Sequence, residues 1–235
     1  MTSTARKISP ITIIIPTRNE AEAIATVVER AQHRAVQEII VVDCGSTDAT
    51  REIASQLGAQ VVASTPGRAR QMNAGALKAQ GDILLFLHAD TLLPPDFVDQ
   101  ITAILTRPGT VAGAFSLAID LPGIALRLVE KAANFRATAL QLPYGDQAIF
   151  LYRQKFIDVG GYPDEPILED VLLIRRLKKT GRIGIATSAV VTSGRRWRSL
   201  GVIKTSLINQ AILLGQLFGI SPKRLQGWYR IAQKF

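Results

Sequence analysis

Short apolar runs alternate with amphipathic stretches through the first half of the chain, in the rhythm of strand and helix. Ile11–Ile15 is a β-branched run closed by Pro16 and predicts a buried strand. Glu20 to Ala31 has helical spacing, with Asn19 placed to cap it. Glu38–Asp43 reads as a second buried strand. Ser46-Thr47-Asp48 then opens a helix over Ala49–Leu57, stopped by Gly58. Gln60–Ala63 is a short strand, Arg68–Ala79 a helix ended by Gly81, and Asp82–Leu87 a fourth buried strand. Strands joined by helices of about 10–12 residues imply right-handed crossovers and a parallel sheet. In such sheets ligands sit at the carboxyl ends of the strands. The polar residues just past each strand are therefore the candidates for chemistry.

The second half continues the pattern. Pro94-Pro95 begins a helix to Leu105, Val111–Ile119 is a strand, and Gly123–Leu140 an amphipathic helix. Gln147–Tyr152 is a strand, Asp170–Thr180 a helix ended by Gly181, and Ile183–Val191 a strand. Leu200–Leu217 is apolar and helical, broken at Gly219 and Pro222. The expected class is α/β, a mostly parallel central sheet flanked by helices with a basic, apolar helical end. We divide it into a main domain, residues 1–198, and a C-terminal helical appendage, residues 199–235.

Charge sharpens this division. The net charge is +9, yet all nineteen acids lie at or before Asp170, whereas thirteen Lys and Arg follow it. Such block asymmetry points to an anionic partner: a membrane surface, a phosphorylated substrate or nucleic acid. An apolar content of 47% excludes a disordered chain. Cys44 is the only cysteine, so no internal disulfide framework exists and a reducing cytoplasm suits the chain. The apolar run near the start is too short for a signal peptide, and no stretch is apolar enough to span a membrane.

Six segments carry candidate chemistry. Pro16-Thr17-Arg18-Asn19-Glu20 follows the first strand and opens a helix, where free N–H groups favour anions. Val42-Asp43-Cys44-Gly45-Ser46 puts an acid and a permissive glycine at the second strand end. Gly67-Arg68-Ala69-Arg70 to Asn73 offers arginines that can pair with a diphosphate. His88-Ala89-Asp90 stands directly past the fourth strand. A carboxylate there, with diphosphate oxygens, suits a hard divalent cation, and a neighbouring imidazole tilts the choice toward Mn²⁺. Glu169-Asp170 starts a helix, where the dipole stabilises acids and where one of them can serve as a general base. Tyr144-Gly145-Asp146-Gln147 reads as a turn before a strand. Each segment has a plain structural reading as a cap, a turn or a solvated face.

In order, PTRNE, VVDCGSTDAT, GRARQMNAG, LFLHADT and LEDVLLIRRLKKTGRI resemble the family 2 glycosyltransferases of GT-A fold, over roughly residues 10 to 200. The resemblance is nearest to a small bacterial branch with HAD in place of the DxD signature and a GDQ segment, some members of which are linked to glycosylation of carotenoid acids. It implies an inverting transfer of a sugar, from a nucleotide-sugar such as a UDP-hexose, to an acceptor hydroxyl or carboxyl. By the same resemblance Pro16, Thr17, Arg18, Glu20 and Asp43 would hold the nucleoside, with Arg68, Asn73 and Ala89 also on the donor. Asp90 and His88 would hold Mn²⁺ or Mg²⁺. Asp170, or its neighbour Glu169, would take the acceptor's proton. Asp146, Gln147, Arg196 and Trp197 would lie on the acceptor side, the last two in a segment similar to a QxxRW motif without its Gln. The chain departs from the family pattern at Cys44 and His88, where acids are usual.

The Leu200–Leu217 stretch, flanked by Arg195, Arg196, Arg198, Lys223 and Arg224, suits a helix lying in a membrane interface. A lipid-like acceptor and a chain at the inner face of the cytoplasmic membrane would follow. A helix that closes the core, or one that meets a second copy in a homodimer, has the same pattern. Two further readings compete: a nucleotidyltransferase, which would want a Lys-containing phosphate loop after the first strand, and a basic nucleic-acid binder. The chain has no such loop, no zinc spacing and no RNA-binding aromatic pattern, so no nucleic-acid partner is expected.

Overall fold

A strand buried on both faces has no polar side to show, and the isoleucine-rich runs accordingly become the middle of the sheet. The computed structural model describes residues 9–234; the basic start before Ser9 lies outside them. Its strands are β1 (Ile11–Thr17), β2 (Val36–Asp43), β3 (Gln60–Ala63), β4 (Ile83–Phe86), β5 (Thr91–Leu92), β6 (Thr110–Asp120), β7 (Phe150–Tyr152) and β8 (Arg182–Ser193). They form one eight-stranded sheet in the order β3-β2-β1-β4-β7-β6-β8-β5. β3, β2, β1 and β4 are parallel, as are β6 and β8. β7 and β5 run the other way. The sheet is thus mostly parallel, as expected, with antiparallel β7 between β4 and β6 and a two-residue return, β5, beside β8.

Helices cover both faces. α1 (Ala21–Ala31), α2 (Thr50–Gln56), α4 (Phe97–Leu105) and α5 (Ile124–Ala139) lie on one side; α3 (Arg68–Lys78), α6 (Arg153–Asp158) and α7 (Glu169–Lys178) lie on the other. Alternation along β1 divides the core: Ile13 and Ile15 join the first layer, Ile14 the second. α3 comes very close to the sheet at Gly75, where a Cβ would stand 2.5 Å from Ile14 Cγ2. That approach fixes the helix whose first residue is Arg68.

Three departures from the pattern reading concern the site. Asn19 does not cap α1; it is left-handed at φ 55°, and Glu20 holds the cap position. Gly145–Gln147 is a 3-10 turn, so the strand starts at Phe150, not Gln147. After β8 the chain forms a separate short helix, α8 (Arg195–Leu200), before α9 (Val202–Leu217) and α10 (Pro222–Lys234). Gly201, at φ 79°, makes the break.

Candidate active site

The loops after β1 and β2 meet at the carboxyl edge of the sheet and bond to one another. Ser46 Oγ accepts from Asn19 N–H at 2.8 Å, and Asn19 Oδ1 accepts from Thr47 N–H at 2.8 Å. Thr50 Oγ1 and Asp48 Oδ2 accept from Glu20 and Ala21 N–H. Asp43 is buried at the centre and accepts from Gly45 N–H, from both Ser46 groups and from the Thr17 hydroxyl. Burial alone would raise its carboxyl; the bonds from Ser46, Gly45 and Thr17 outweigh it and leave the group below its ordinary value. Gln71 Nε2 donates to the Thr17 and Val42 carbonyls and ties α3 to both strand ends. Arg18 is exposed at the rim, and buried Cys44 lies behind it, its thiol pushed up by burial.

A second cluster gathers where β4, the Gly145 turn and the start of α7 converge. Asp170 Oδ2 accepts from Gly145 N–H at 2.6 Å, and Oδ1 from Val171 N–H at 2.8 Å. A Cβ on Gly145 would stand 3.1 Å from His88 Nε2 and 3.2 Å from Asp170 Oδ2. Glycine is thus what lets imidazole and carboxylate close on this point. Arg68 Nη1 lies 3.6 Å from buried Glu169 Oε1. Among the described residues, His88 Nε2 and Asp146 Oδ1 are buried with no hydrogen-bond partner. Such groups cost free energy unless something pairs with them. Burial, then the Arg68 charge, depresses His88 well below its ordinary range, so the ring is neutral. Burial raises Asp146 to about 6 against the pull of Arg136, and raises Glu169, with Asp170 adding to the rise. Two left-handed residues other than glycine, Ala148 at φ 48° and Leu168 at φ 64°, flank these acids. Conformations of that kind are stored at functional sites.

Asp90 lies apart from His88 chemically. Arg195 Nη2 bonds Glu20 Oε2 at 2.7 Å and Asp90 Oδ2 at 3.5 Å. Asp90 and Arg195 border a cleft of about 560 Å³ between α1 and the end of β8, lined also by Glu22, Arg30 and Asp120. Among the described residues, no three His, Cys, Asp or Glu side chains gather as a metal cluster. The fit to a divalent cation is therefore that of an open site: a carboxylate already countered by a cation, with most ligands to come from a diphosphate. Asp90 suits that role. His88 Nε2 faces Gly145 and Asp170 instead.

The expected site residues thus fall into three groups. Thr17, Asp43 and Glu20 join the laced loops beside Pro16 and Arg18; Arg68, His88, Asp146, Glu169 and Asp170 form the second cluster; Asp90 stands at its rim, next to buried Ala89. Three residues expected at a ligand, Asn73, Gln147 and Arg196, bond within the fold. Asn73 pairs with both backbone groups of Tyr162. Gln147 is fully buried and bonds the Phe115 carbonyl, Arg136 and Tyr144 N–H. Arg196 donates to Asn209 of α9, and Trp197 is partly buried in α8. Arg195 is the residue that pattern reading passed over. It was legible only as one of several arginines in a basic stretch.

Residues 12–160 match the family model for glycosyl transferase family 2. The chain is 32% identical over 113 residues to glucosyl-3-phosphoglycerate synthase of Mycolicibacterium smegmatis, covering 42% of this chain and 37% of that protein. It is 28% identical over 124 residues to undecaprenyl-phosphate 4-deoxy-4-formamido-L-arabinose transferase of Yersinia enterocolitica, covering 47% and 38%. The matches span less than half the length of these curated relatives. Among solved structures, the chain resembles glucosyl-3-phosphoglycerate synthase from Mycobacterium tuberculosis in complex with Mn²⁺, UDP and glucosyl-3-phosphoglycerate. The TM-score is 0.60 at 23% identity, covering 85% of this chain and 79% of that one. It also resembles S. aureus TarS 1–349, with a TM-score of 0.63 at 18% identity, covering 83% and 64%. At these identities the likeness is one of fold, and the fold is GT-A.

Proposed function

The chain belongs to glycosyltransferase family 2, and from that premise we propose that it transfers a sugar, with inversion, from a nucleotide-diphosphate donor to an acceptor oxygen. The observation that carries this reading is the cluster of Arg68, His88, Asp146, Glu169 and Asp170 at the carboxyl edge of the sheet, with two buried polar atoms awaiting partners. The laced β1 and β2 loops would receive the nucleoside, with Arg18 at the rim. Arg68 would face the diphosphate. Asp90 would hold Mn²⁺ or Mg²⁺, which when bound neutralises charge on the leaving diphosphate. Asp170, fixed by Gly145 N–H, would take the acceptor's proton as its oxygen attacks. Asp146 and neutral His88 would bond hydroxyls of the sugar or acceptor and so hold the anomeric carbon in line. UDP as the donor's nucleotide is favoured by the structural neighbour that holds UDP with Mn²⁺.

A lipid-like acceptor, carrying a hydroxyl or an acidic group, is favoured by the relative that acts on undecaprenyl phosphate. The basic end of the chain suits such an acceptor, and residues 1–198 would then be the catalytic domain and 199–235 a helical appendage at the cytoplasmic side of a membrane. Family membership takes the place of the nucleotidyltransferase reading. The test is calorimetric titration of UDP, then of a panel of nucleotide-sugars, with and without Mn²⁺, on the native chain and on Asp90→Ala. Metal-dependent UDP binding that Asp90→Ala loses is the expected result. Absence of any nucleotide binding would overturn the proposal.

A further inference from the structure

Helix α5 is amphipathic the wrong way round. Its buried side carries Leu126, Glu130, Ala133 and Ala137. Its outer side carries Ile124, Leu128 and Phe135, spaced i, i+4, i+11; Ile124 is 84% and Phe135 71% exposed. A helix at the surface of a globular protein ordinarily turns its larger apolar residues inward. The α9 stretch repeats the arrangement: Leu207 and Leu214 of the helix and Phe218 just past its end stand exposed at i, i+7, i+11, while Thr205 and Ile212 are buried. α5 packs beside α9, and α10 beside α9 adds exposed Trp228.

Charge decides what covers this face. α5, α8, α9 and α10 contain a single carboxylate, Glu130, and it is buried, bonded to Ile119 N–H. Lys131, Arg198, Lys223 and Arg224 are exposed around the apolar stripes. We infer that α5, α9 and α10 form a single face that lies on a bilayer carrying anionic lipids, with the stripes at the headgroup boundary and the cations at the lipid phosphates. Two-fold pairing with a second copy would set this basic face against itself. Among the described residues, no helix is long and apolar enough to cross a membrane, so the contact is in-plane.

The face reaches the candidate active site through α5, and α8, which leads into α9, reaches it as well. Arg136 of α5 bonds Gln147 and lies 3.4 Å over the Tyr144 ring, beside Asp146. Arg195 of α8 bonds Glu20 and Asp90. Docking would thus bring the cluster to the membrane surface. The inference rests on the transferase reading for its purpose, delivery of a lipid-like acceptor.

The test is flotation without donor, on phosphatidylcholine vesicles with or without phosphatidylglycerol. The native chain should float with the anionic vesicles only. Leu128→Glu combined with Phe135→Glu should weaken binding about tenfold or more. Leu214→Glu combined with Phe218→Glu carries the same expectation on α9. Leu77→Glu, on the exposed side of α3, should float as the native chain does. UDP titration should be unchanged in both double variants, which separates loss of the face from loss of the fold. A native chain that stays down with anionic vesicles at low salt would overturn the inference. So would double variants that float normally, or a native dimer in light scattering that they convert to monomer. UDP binding without flotation leaves the transferase reading standing; flotation without UDP binding sinks that reading alone.

Discussion

The loops after β1 and β2 and the cluster around Asp170 sit on the same edge of the sheet and are both rich in acids, but they treat those acids differently. In the loops, Asp43 and Asp48 take their hydrogen bonds from neighbouring N–H and hydroxyl groups of the chain itself. In the cluster, Asp146 Oδ1 and His88 Nε2 are buried without hydrogen-bond partners, and buried Glu169 faces the Arg68 guanidinium at 3.6 Å. The first region holds its shape before any ligand arrives. The second stores unfavourable free energy that a ligand can relieve, as expected where differential binding must be greatest. On the proposed function, carboxylates in the first region would serve stability and those in the second activity.

The largest expected effect falls on the second region. Asp170→Asn should lower kcat by about 10²- to 10⁴-fold, the usual contribution of a general base. UDP affinity should stay unchanged, and turnover near the native rate would show that another group takes the proton. In the first region Asp43→Asn should act on folding instead. It turns an acceptor into a donor facing N–H or hydroxyl groups and should cost about 2–3 kcal/mol in urea denaturation. The carboxyl of Asp43 is held below its ordinary value, so its stabilisation is present above that value and is lost as pH falls through the lowered one. The gap between native chain and variant should close in acid. An Asp43→Asn chain of native stability would break the comparison.

Asp146 reverses the sign. Its carboxyl is raised from an ordinary 3.8 to about 6, so between those values the folded state binds more protons than the unfolded one. Stability therefore falls as pH rises through that window. Asp146→Asn removes the penalty and should stabilise the free protein by about 1–3 kcal/mol at pH 7, with little gain near pH 4. Thermal melts at the two pH values read this directly. Equal gains at both would mean that packing, not ionisation, is responsible.

Much of the first region was legible in sequence, because it is local. A β-branched run, a terminal Pro or Asp, and a Gly-Ser-Thr loop predict strand, edge and cap without knowledge of the partner strand. Even there, Asn19 was misread as a cap: its side chain bonds across to Thr47, and only the pairing of β1 with β2 brings the two together. The second region joins β4, the Gly145 turn and α7, and its geometry depends on long-range closure. The acids could be named, but not that Gly145 is the point where His88 and Asp170 meet, nor that Gln147 turns inward to bond the Phe115 carbonyl. The direction of β7 and the short return β5 were not legible for a related reason: an apolar strand does not state its direction, and only its pairing in the sheet does.

Arg195 lies between the two regions and gives the smallest but most discriminating test. Its guanidinium binds Glu20 of the β1 loop and Asp90 at the rim of the cluster, where a divalent cation would also stand. Two cations cannot share one carboxylate freely, so on the proposed function Arg195 would compete with the metal in the free protein. The arginine is half exposed and its ion pair is screened, so the competition is modest. Arg195→Met should tighten Mn²⁺ binding about two- to fivefold, counted by electron paramagnetic resonance of the free ion without donor. The difference should shrink as salt rises. It should vanish in an Asp90→Ala background, since the shared carboxylate is then gone. Weaker Mn²⁺ binding in Arg195→Met would reverse the assignment: the arginine would be holding Asp90 in place for the metal, and the rim would belong with the self-satisfied loops.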